Sequence, residues 1–334
     1  MKKLMISTIL LSLGSLAYSN DVIEFQNTQN KTQQIRLLPI SLNAKSQNRI
    51  ATQLSRKIPL AFQYSTFPSS VNLGMNNVPV LDQGMHGTCA TFAVTGALDA
   101  IMNKGDYISQ LCHLTLGQHL SQHSYQASGW DGAFTNDVLY QIHTHGIINK
   151  TKQSSVGCAG LTQYPGNENI DPLNEMTLDE FHQLSESSTA QKDYDVSSLL
   201  DFYQFIKSEK SAEDVVKSLK TSLNNGDRVL IGTILTTADE VGAYGKYHER
   251  ADSWVVTPEV ISAIKAKNYG AHAMIIIGYD DKAEAIDNHG KSHRGLFILR
   301  NSWGPNAGDK GNYYMSYQYL SSLAFDLIQV RTLD

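Results

Sequence analysis

Apolar residues recur along this chain with two different periods, and the switch between them divides the sequence. From Cys89 onward, Phe92, Ala93, Gly96, Ala97, Ala100 and Ile101 return at helical spacing. Residues 114–125 and 136–145 continue in the same way, the second with Val138, Leu139 and Ile142 on one face and Gly146 as its stop signal. Residues 149–175 read as loop and 176–210 as a polar insertion or lid with two short helical patterns, 178–184 and 196–206. Ser211 caps a further helix through Val215, Leu219 and Leu223, closed by Asn225 and Gly226. Beyond it the pattern turns to strands at 229–235, 270–279, 296–300 and 311–315, separated by an irregular stretch at 237–268 and a charged hairpin-like excursion at 281–294. A helical half followed by a β-rich half predicts an α+β fold of two lobes.

The N-terminal part is different. Residues 22–25 and 35–38 are short apolar runs around a polar connection, which predicts a loose hairpin, and Pro39 closes the second run. Residues 43–57 have helical content with Ile50 and Leu54 four apart, and 64–68 read as an exposed joint. Ahead of this, Lys2 and Lys3 precede the apolar run 4–16, and Ala17, Tyr18 and Ser19 fit a cleavage site before Asn20. Residues 1–19 therefore read as a secretory signal peptide too short to span a bilayer, and the expectation is a soluble protein exported to the periplasm or the cell exterior, with no membrane attachment after cleavage.

Composition narrows the partners. The 334 residues carry 41% hydrophobic content, enough for one large core or two medium lobes, and a net charge of −5 without a basic run. Nucleic acid and anionic membranes are poorly matched to that balance. There are three cysteines, Cys89, Cys112 and Cys158. An odd count in an oxidising compartment suggests one bridge and one free thiol. Cys89 stands in the first turn of its helix, where unsatisfied N–H groups and the helix dipole favour a thiolate. That leaves Cys112–Cys158 as the expected disulfide, with two reduced buried cysteines as the alternative.

Alone, Cys89 reads more readily as a small buried residue than as a nucleophile, and His272, opening an apolar strand, more readily as a structural histidine than as a base. Their combination with Asn301 changes this, because a thiol nucleophile needs a base and the base an orienting partner. His272 opens one expected strand and Asn301 ends the next, and pairing of those strands would bring the two together.

These residues lie in stretches that resemble the papain-like cysteine peptidases. Asp82-Gln83-Gly84 followed by Gly87-Thr88-Cys89-Ala90-Thr91-Phe92-Ala93 is similar to the family's nucleophile segment. Ala271-His272-Ala273 with Gly278-Tyr279 resembles its histidine strand, and Asn301-Ser302-Trp303-Gly304 with Gly308 and Gly311-Asn312-Tyr313 its asparagine motif. Gly129-Trp130-Asp131-Gly132-Ala133 and Tyr164-Pro165 match further landmarks in order, so that the likeness runs from about Pro68 to the C-terminus.

The resemblance implies a helical lobe and a β-barrel-like lobe with the active-site cleft between them. Cys89 and His272 would form a thiolate–imidazolium pair, with Asn301 orienting the ring and Trp303 shielding that bond. Gln83 and the Cys89 N–H would form the oxyanion hole. Substrate backbone would pair along Gly132, Ala133 and Gly87, with Phe134 and Gly232 lining an apolar pocket for the side chain two residues before the cut. No cofactor is implied. The partners would be protein or peptide substrates and the chain's own segment 20–67, acting on a monomer.

Departures from the family pattern accompany the likeness. Ala90 stands where tryptophan is usual, and His86 and Trp130 occupy the positions of a usual disulfide. The family's common long helical pro-segment is missing, so 20–67 is expected to be a short propeptide, a hairpin and then a helix crossing the cleft, released by cutting near 64–68. The peptidase domain would be 68–334, with insertions near 170–210, 237–268 and 281–294. The bacterial-style leader points to a divergent secreted bacterial member, and the segment 20–67 to an enzyme made as a zymogen. An acyl-transfer enzyme using the same three residues, or a silent binding module, are the alternatives. His113, His119 and His123, or His289 and His293, form no metal set in the sequence, since no cysteine or acidic ligand adjoins them. Trp130, Tyr313 and Tyr314 read as packing aromatics.

Overall fold

A computed structural model describes residues 22–55, 67–123, 129–130, 132–166, 171–186, 194–237 and 243–333. The leader, most of the expected cut region and Asp131 lie outside the described residues. In chain order, β1 (Val22–Gln26) and β2 (Thr32–Arg36) form an antiparallel hairpin, followed by α1 (Ala44–Leu54) and β3 (Ser70–Asn72). The helical lobe comprises α2 (Cys89–Met102), α3 (Gln110–Gln122), α4 (Thr135–His145), α5 (Lys150–Ser155) and α6 (Leu178–Leu184). Next come β4 (Tyr194–Leu200), α7 (Phe202–Lys207), α8 (Ala212–Asn224), β5 (Arg228–Thr236), β6 (Gly245–Lys246), β7 (Ser253–Trp254) and α9 (Pro258–Ala266). The chain ends with β8 (Tyr269–Asp287), β9 (Ser292–Arg300), β10 (Asn312–Ser316), α10 (Tyr317–Leu323) and β11 (Ala324–Thr332).

The strands β4 to β11 form one sheet in the order β4-β11-β5-β8-β6-β7-β10-β9, with β3 added to β8. Because β9 also pairs with β8, part of the sheet closes into a barrel-like ring. The architecture is α+β in two lobes, as the period change predicts.

Helix α2 lies between the lobes. It is apolar nearly all round and buried from Cys89 to Ile101, which suits a helix with neighbours on every side. Gly96 lets it approach the sheet: a Cβ there would stand 3.3 Å from Ile275 on β8. Val94, Ala97 and Leu98 share a cluster with Leu230, Ile275 and Ile328.

Several expectations need correction. Residues 196–206 are not one helix. Tyr194–Leu200 is a strand paired with β11, and its burial alternates along much of its length. The segment extends the sheet edge rather than covering the cleft. The expected loop 149–175 contains α5, the irregular 237–268 contains β6, β7 and α9, and 281–294 continues the β8–β9 pairing. The sequence pattern gave no sign of α10 and β11.

The N-terminal hairpin forms as expected, but α1 does not cross the cleft. Ile50 and Leu54 sit in the core of the sheet lobe. Arg49 donates to the Phe205 and Ile206 carbonyls at the end of α7, and Gln318 Nε2 of α10 donates to the Leu54 carbonyl. The stretch that reaches the cleft is the extended turn out of β2. Leu38 exchanges two main-chain hydrogen bonds with Ala271, of 2.9 and 2.8 Å.

Candidate active site

The loop before α2 is held by the asparagine loop of the other lobe. Gln83 N–H donates to the Ser302 carbonyl at 2.8 Å and Gly304 N–H to the Leu81 carbonyl at 3.1 Å. The Gln83 side chain is fully buried, its Oε1 accepting from Ser302 Oγ at 2.7 Å and its Nε2 donating to the His86 carbonyl at 2.8 Å. Gly84 turns the chain at φ +59°, a conformation that suits glycine, and Asp82 Oδ1 accepts its N–H. The helix then opens on Cys89. Thr88, ahead of it, makes no side-chain cap and instead meets the Tyr164 hydroxyl at 3.0 Å.

His272 lies on β8 opposite Thr233 of β5, next to the residue that pairs with Leu38. Its Nε2 stands 2.8 Å from Asn301 Oδ1, which also accepts the Ser302 N–H. His272 Nδ1 has no hydrogen-bond partner. Trp303 is wholly buried with its ring centre 5.0 Å from that of His272, and it is enclosed in turn by Trp254, Tyr313 and Phe25 of the hairpin.

Cys89 and His272 share one pocket with Leu38, Ala133, Phe134, Thr135, Gly232, Ala271, Ala273 and Phe325. Gly232 keeps this space open, since a Cβ there would stand 2.8 Å from the Phe325 ring. Gly132, at φ +104°, faces Leu38: a Cβ would fall 2.8 Å from Leu38 Cδ1 and 3.2 Å from the Gly87 carbonyl. The expected site residues thus come together from two lobes. Sequence reasoning missed Leu38 and Phe325, which belong to no motif, and gave no role to Ser302, which stands inside the asparagine motif and holds Gln83.

Burial decides the electrostatics. Cys89 is 3% exposed and His272 1%. Burial pushes the thiol up to about 11, although the N–H groups of Ala273, Ala90 and Cys89 act in the other direction. Burial likewise lowers His272 to about 4 against the supporting bond from Asn301. With the N-terminal segment in place, both groups are therefore neutral near pH 7.

The family's usual disulfide position is rebuilt from other materials. His86 is buried edge-on against Trp130, ring centres 5.3 Å apart, and against Tyr164 at 5.8 Å. Its Nδ1 meets Asp171, whose other oxygen pairs with Arg36 of β2 at 2.5 Å. Burial raises the Asp171 pKa, but the His86 and Arg36 contacts outweigh it and hold the carboxyl below its usual range. Cys112 and Cys158 are bridged, with Cα atoms 5.1 Å apart, and Cys89 is free.

Among the other histidines, His289 pairs with Glu259, His293 with Asp287, and buried His113 with Gln141. His119 and His123 are different. The fold brings Glu175 to them, so an acidic ligand does complete a set that looked incomplete in sequence.

The profile described as papain family cysteine protease matches residues 67–324. The chain belongs to the papain family. Xylellain, a cysteine protease from Xylella fastidiosa, has a similar fold, with a TM-score of 0.51 at 18% identity over 89% of this chain and 92% of that one. The digestive procathepsin L 3 of the Tenebrio molitor larval midgut aligns at 0.46 and 17% identity, over 89% of this chain and 83% of that one. The proform of a ragweed pollen allergen, also a cysteine protease, aligns at 0.46 and 16%, over 87% and 76%. No curated protein matches in sequence. This papain-family chain is a cysteine peptidase, and none of its described helices is long and apolar enough to cross a membrane.

Proposed function

We propose that this peptidase cleaves protein and peptide substrates with Cys89 as nucleophile, His272 as acid and base and Asn301 as orienting partner, and that it is made as an exported zymogen. The observation that carries the reading is the 2.8 Å His272–Asn301 contact beside the only free cysteine among the described residues. With Asn301 on Nε2, the other ring nitrogen is available for the thiol proton. The thiolate attacks the scissile carbonyl carbon, and the oxyanion is met by the Cys89 N–H and Gln83 Nε2, each donor contributing about 3 kcal/mol. His272 then protonates the leaving amine, leaving an acyl-enzyme. Water, deprotonated by His272, cleaves that thioester and restores the thiol.

Substrate main chain would run along Gly132, Ala133 and Gly87. The pocket of Phe134, Gly232 and Phe325, which Leu38 also lines in this structure, would take an apolar or aromatic side chain. Trp303 keeps water from the His272–Asn301 bond.

Segment 20–67 is read as an inhibitory propeptide. Its residues 33–38 run from the Trp303 loop, where Gln33 Nε2 donates to the Trp303 carbonyl, to the pocket that Leu38 lines together with Cys89, on the path a substrate would need. The Cys112–Cys158 bridge fits an oxidising compartment, in keeping with a leader at 1–19 and an exported monomer.

The test is N-terminal sequencing and peptide-cleavage profiling of wild type and Cys89→Ser. Wild type should acquire a new N-terminus near 64–68 and hydrolyse peptides, while Cys89→Ser does neither. An active form that still begins at Asn20 would remove the zymogen reading. Undiminished cleavage by Cys89→Ala would remove the catalytic one. A product carrying an added amine in place of a free carboxylate would instead favour acyl transfer.

A further inference from the structure

We propose that His119, His123 and Glu175 bind one divalent transition-metal ion of the zinc class, at a site apart from the Cys89 cleft and independent of its chemistry. The two histidines are four residues apart at the C-terminal end of α3, so they lie one above the other on one helix face. Their ring centres are 4.2 Å apart. Glu175 Oε2 is 3.2 Å from His119 Nδ1 and 3.9 Å from His123 Nδ1. All three ligand atoms lie within 4.8 Å of one another. In a tetrahedral zinc site with bonds of about 2.0–2.1 Å, ligand atoms sit about 3.4 Å apart, so small side-chain rotations close the set. Two imidazoles and a carboxylate suit zinc, or a related late transition metal, better than magnesium or calcium.

The backbone holds both arms of the site. Met176 N–H donates to the Thr115 carbonyl at 3.0 Å, one helical turn before His119, which sets Glu175 beside the following turn. Asn174 Nδ2 donates to the Ala159 carbonyl at 2.8 Å, next to bridged Cys158. The carboxylate therefore does not need to be recruited from a distance. His123 Nδ1 also lies 2.9 Å from the His119 carbonyl, to which it donates; binding an ion moves that proton to Nε2 and turns the freed Nδ1 lone pair to the metal. Three protein ligands leave the fourth position to water. A bound ion would tie α3 to the segment 171–176, whose first residue, Asp171, meets His86 and Arg36.

The experiment uses the tag-free full chain carrying Cys89→Ser, so that the cleft thiol takes no metal. Zinc chloride is titrated in competition with a chromogenic chelator, and cobalt(II) absorption reports tetrahedral geometry. One equivalent should bind, and His119→Gln, His123→Gln and Glu175→Gln should each weaken it about tenfold or more. His145→Gln, at the separate His145–His182 pair, should leave the affinity unchanged. Zinc should raise the thermal midpoint of the parent and not of the three variants. If His119→Gln fails to fold, the two more exposed ligands, His123 and Glu175, decide the matter. Absence of saturable binding, undiminished affinity in those variants, or loss of binding in His145→Gln would each overturn the site and leave the trio as an ordinary ion pair.

Discussion

The reading of the N-terminal segment as a gate is open to a quantitative test at Leu37. This side chain is fully buried in the core of the sheet lobe, next to the residue that pairs with Ala271. It packs so closely that a Cβ on Gly270 would fall 2.6 Å from its own Cβ. Leu37→Ala removes most of a buried side chain at the point where the segment is fastened. The cost is about 2–5 kcal/mol, and it falls on the docked state alone if Leu37 is exposed on opening. At the lower figure the open fraction rises about thirtyfold. Cys89 is the one free thiol among the described residues, so alkylation by a peptide-like electrophile, followed by intact mass on uncleaved chain, reads opening directly. Leu37→Ala should be alkylated at least about thirtyfold faster than the parent, and Thr52→Ala, exposed on α1, at the parental rate. Equal rates for Leu37→Ala and the parent would refute the reasoning, because Cys89 would then be reached without moving the segment.

Other outcomes follow from the same geometry. His272→Ala should lower kcat by about 10²–10⁴, and Asn301→Ala by less, in steady-state assays of the processed enzyme. Gln83→Ala should cost about 10²–10³ in kcat if its Nε2 meets the oxyanion, and an unchanged kcat would exclude it. Replacing Cys112 and Cys158 by alanine opens a crosslink across 46 residues and should lower unfolding free energy by about 2–4 kcal/mol in denaturant titrations, with Cys89 alkylation chemistry retained. His272 binds its proton less readily in the docked chain than in the unfolded one, so its contribution to stability is complete above pH 6.5 and lost as pH falls towards 4, about 3 kcal/mol in all. Buried Asp99 and Asp326, raised to about 7 and about 6, act oppositely, so the effect is read as the difference in melting midpoint between parent and His272→Asn across that window.

The parts of the site most legible in sequence were those whose chemistry restricts residue type. A thiol at a helix start, a histidine on a buried strand and an asparagine on its neighbour leave a recognisable order, and α2 announces itself by unbroken apolar spacing. Residues 194–200 were misread because a short run with few apolar positions satisfies a helical period as well as a strand period. Only the partner β11 decides between them. Because β11 itself went unrecognised, the edge strand had no visible partner. Glu175, Asp171 and Phe325 act through contacts with residues far away in the chain, and no local pattern reports such a meeting. The placement of α1 was misjudged for a related reason. Its apolar face predicts burial, but the surface that accepts it is assembled from α7, α9 and α10, of which the sequence pattern suggested none as it stands.

The loss of the usual disulfide and the unusual N-terminal segment are connected through Asp171. In place of a covalent link, the loop before Cys89 is held by His86 packed on Trp130 and Tyr164, and His86 is joined to Asp171. The same carboxylate takes Arg36, one residue before the buried Leu37 and two before Leu38 in the pocket. A disulfide would fix the loop whether or not the segment were present. Here the loop and the segment share an anchor, so departure of the segment strips Asp171 of its guanidinium and returns the carboxylate to His86 alone. Asp171→Asn therefore has two expected effects that a covalent clamp would keep apart. It should speed Cys89 alkylation in the uncleaved chain by loosening Arg36, and it should lower the thermal midpoint of the processed enzyme by loosening His86. An Arg36→Gln variant separates them, since it should reproduce the first effect and leave the second unchanged.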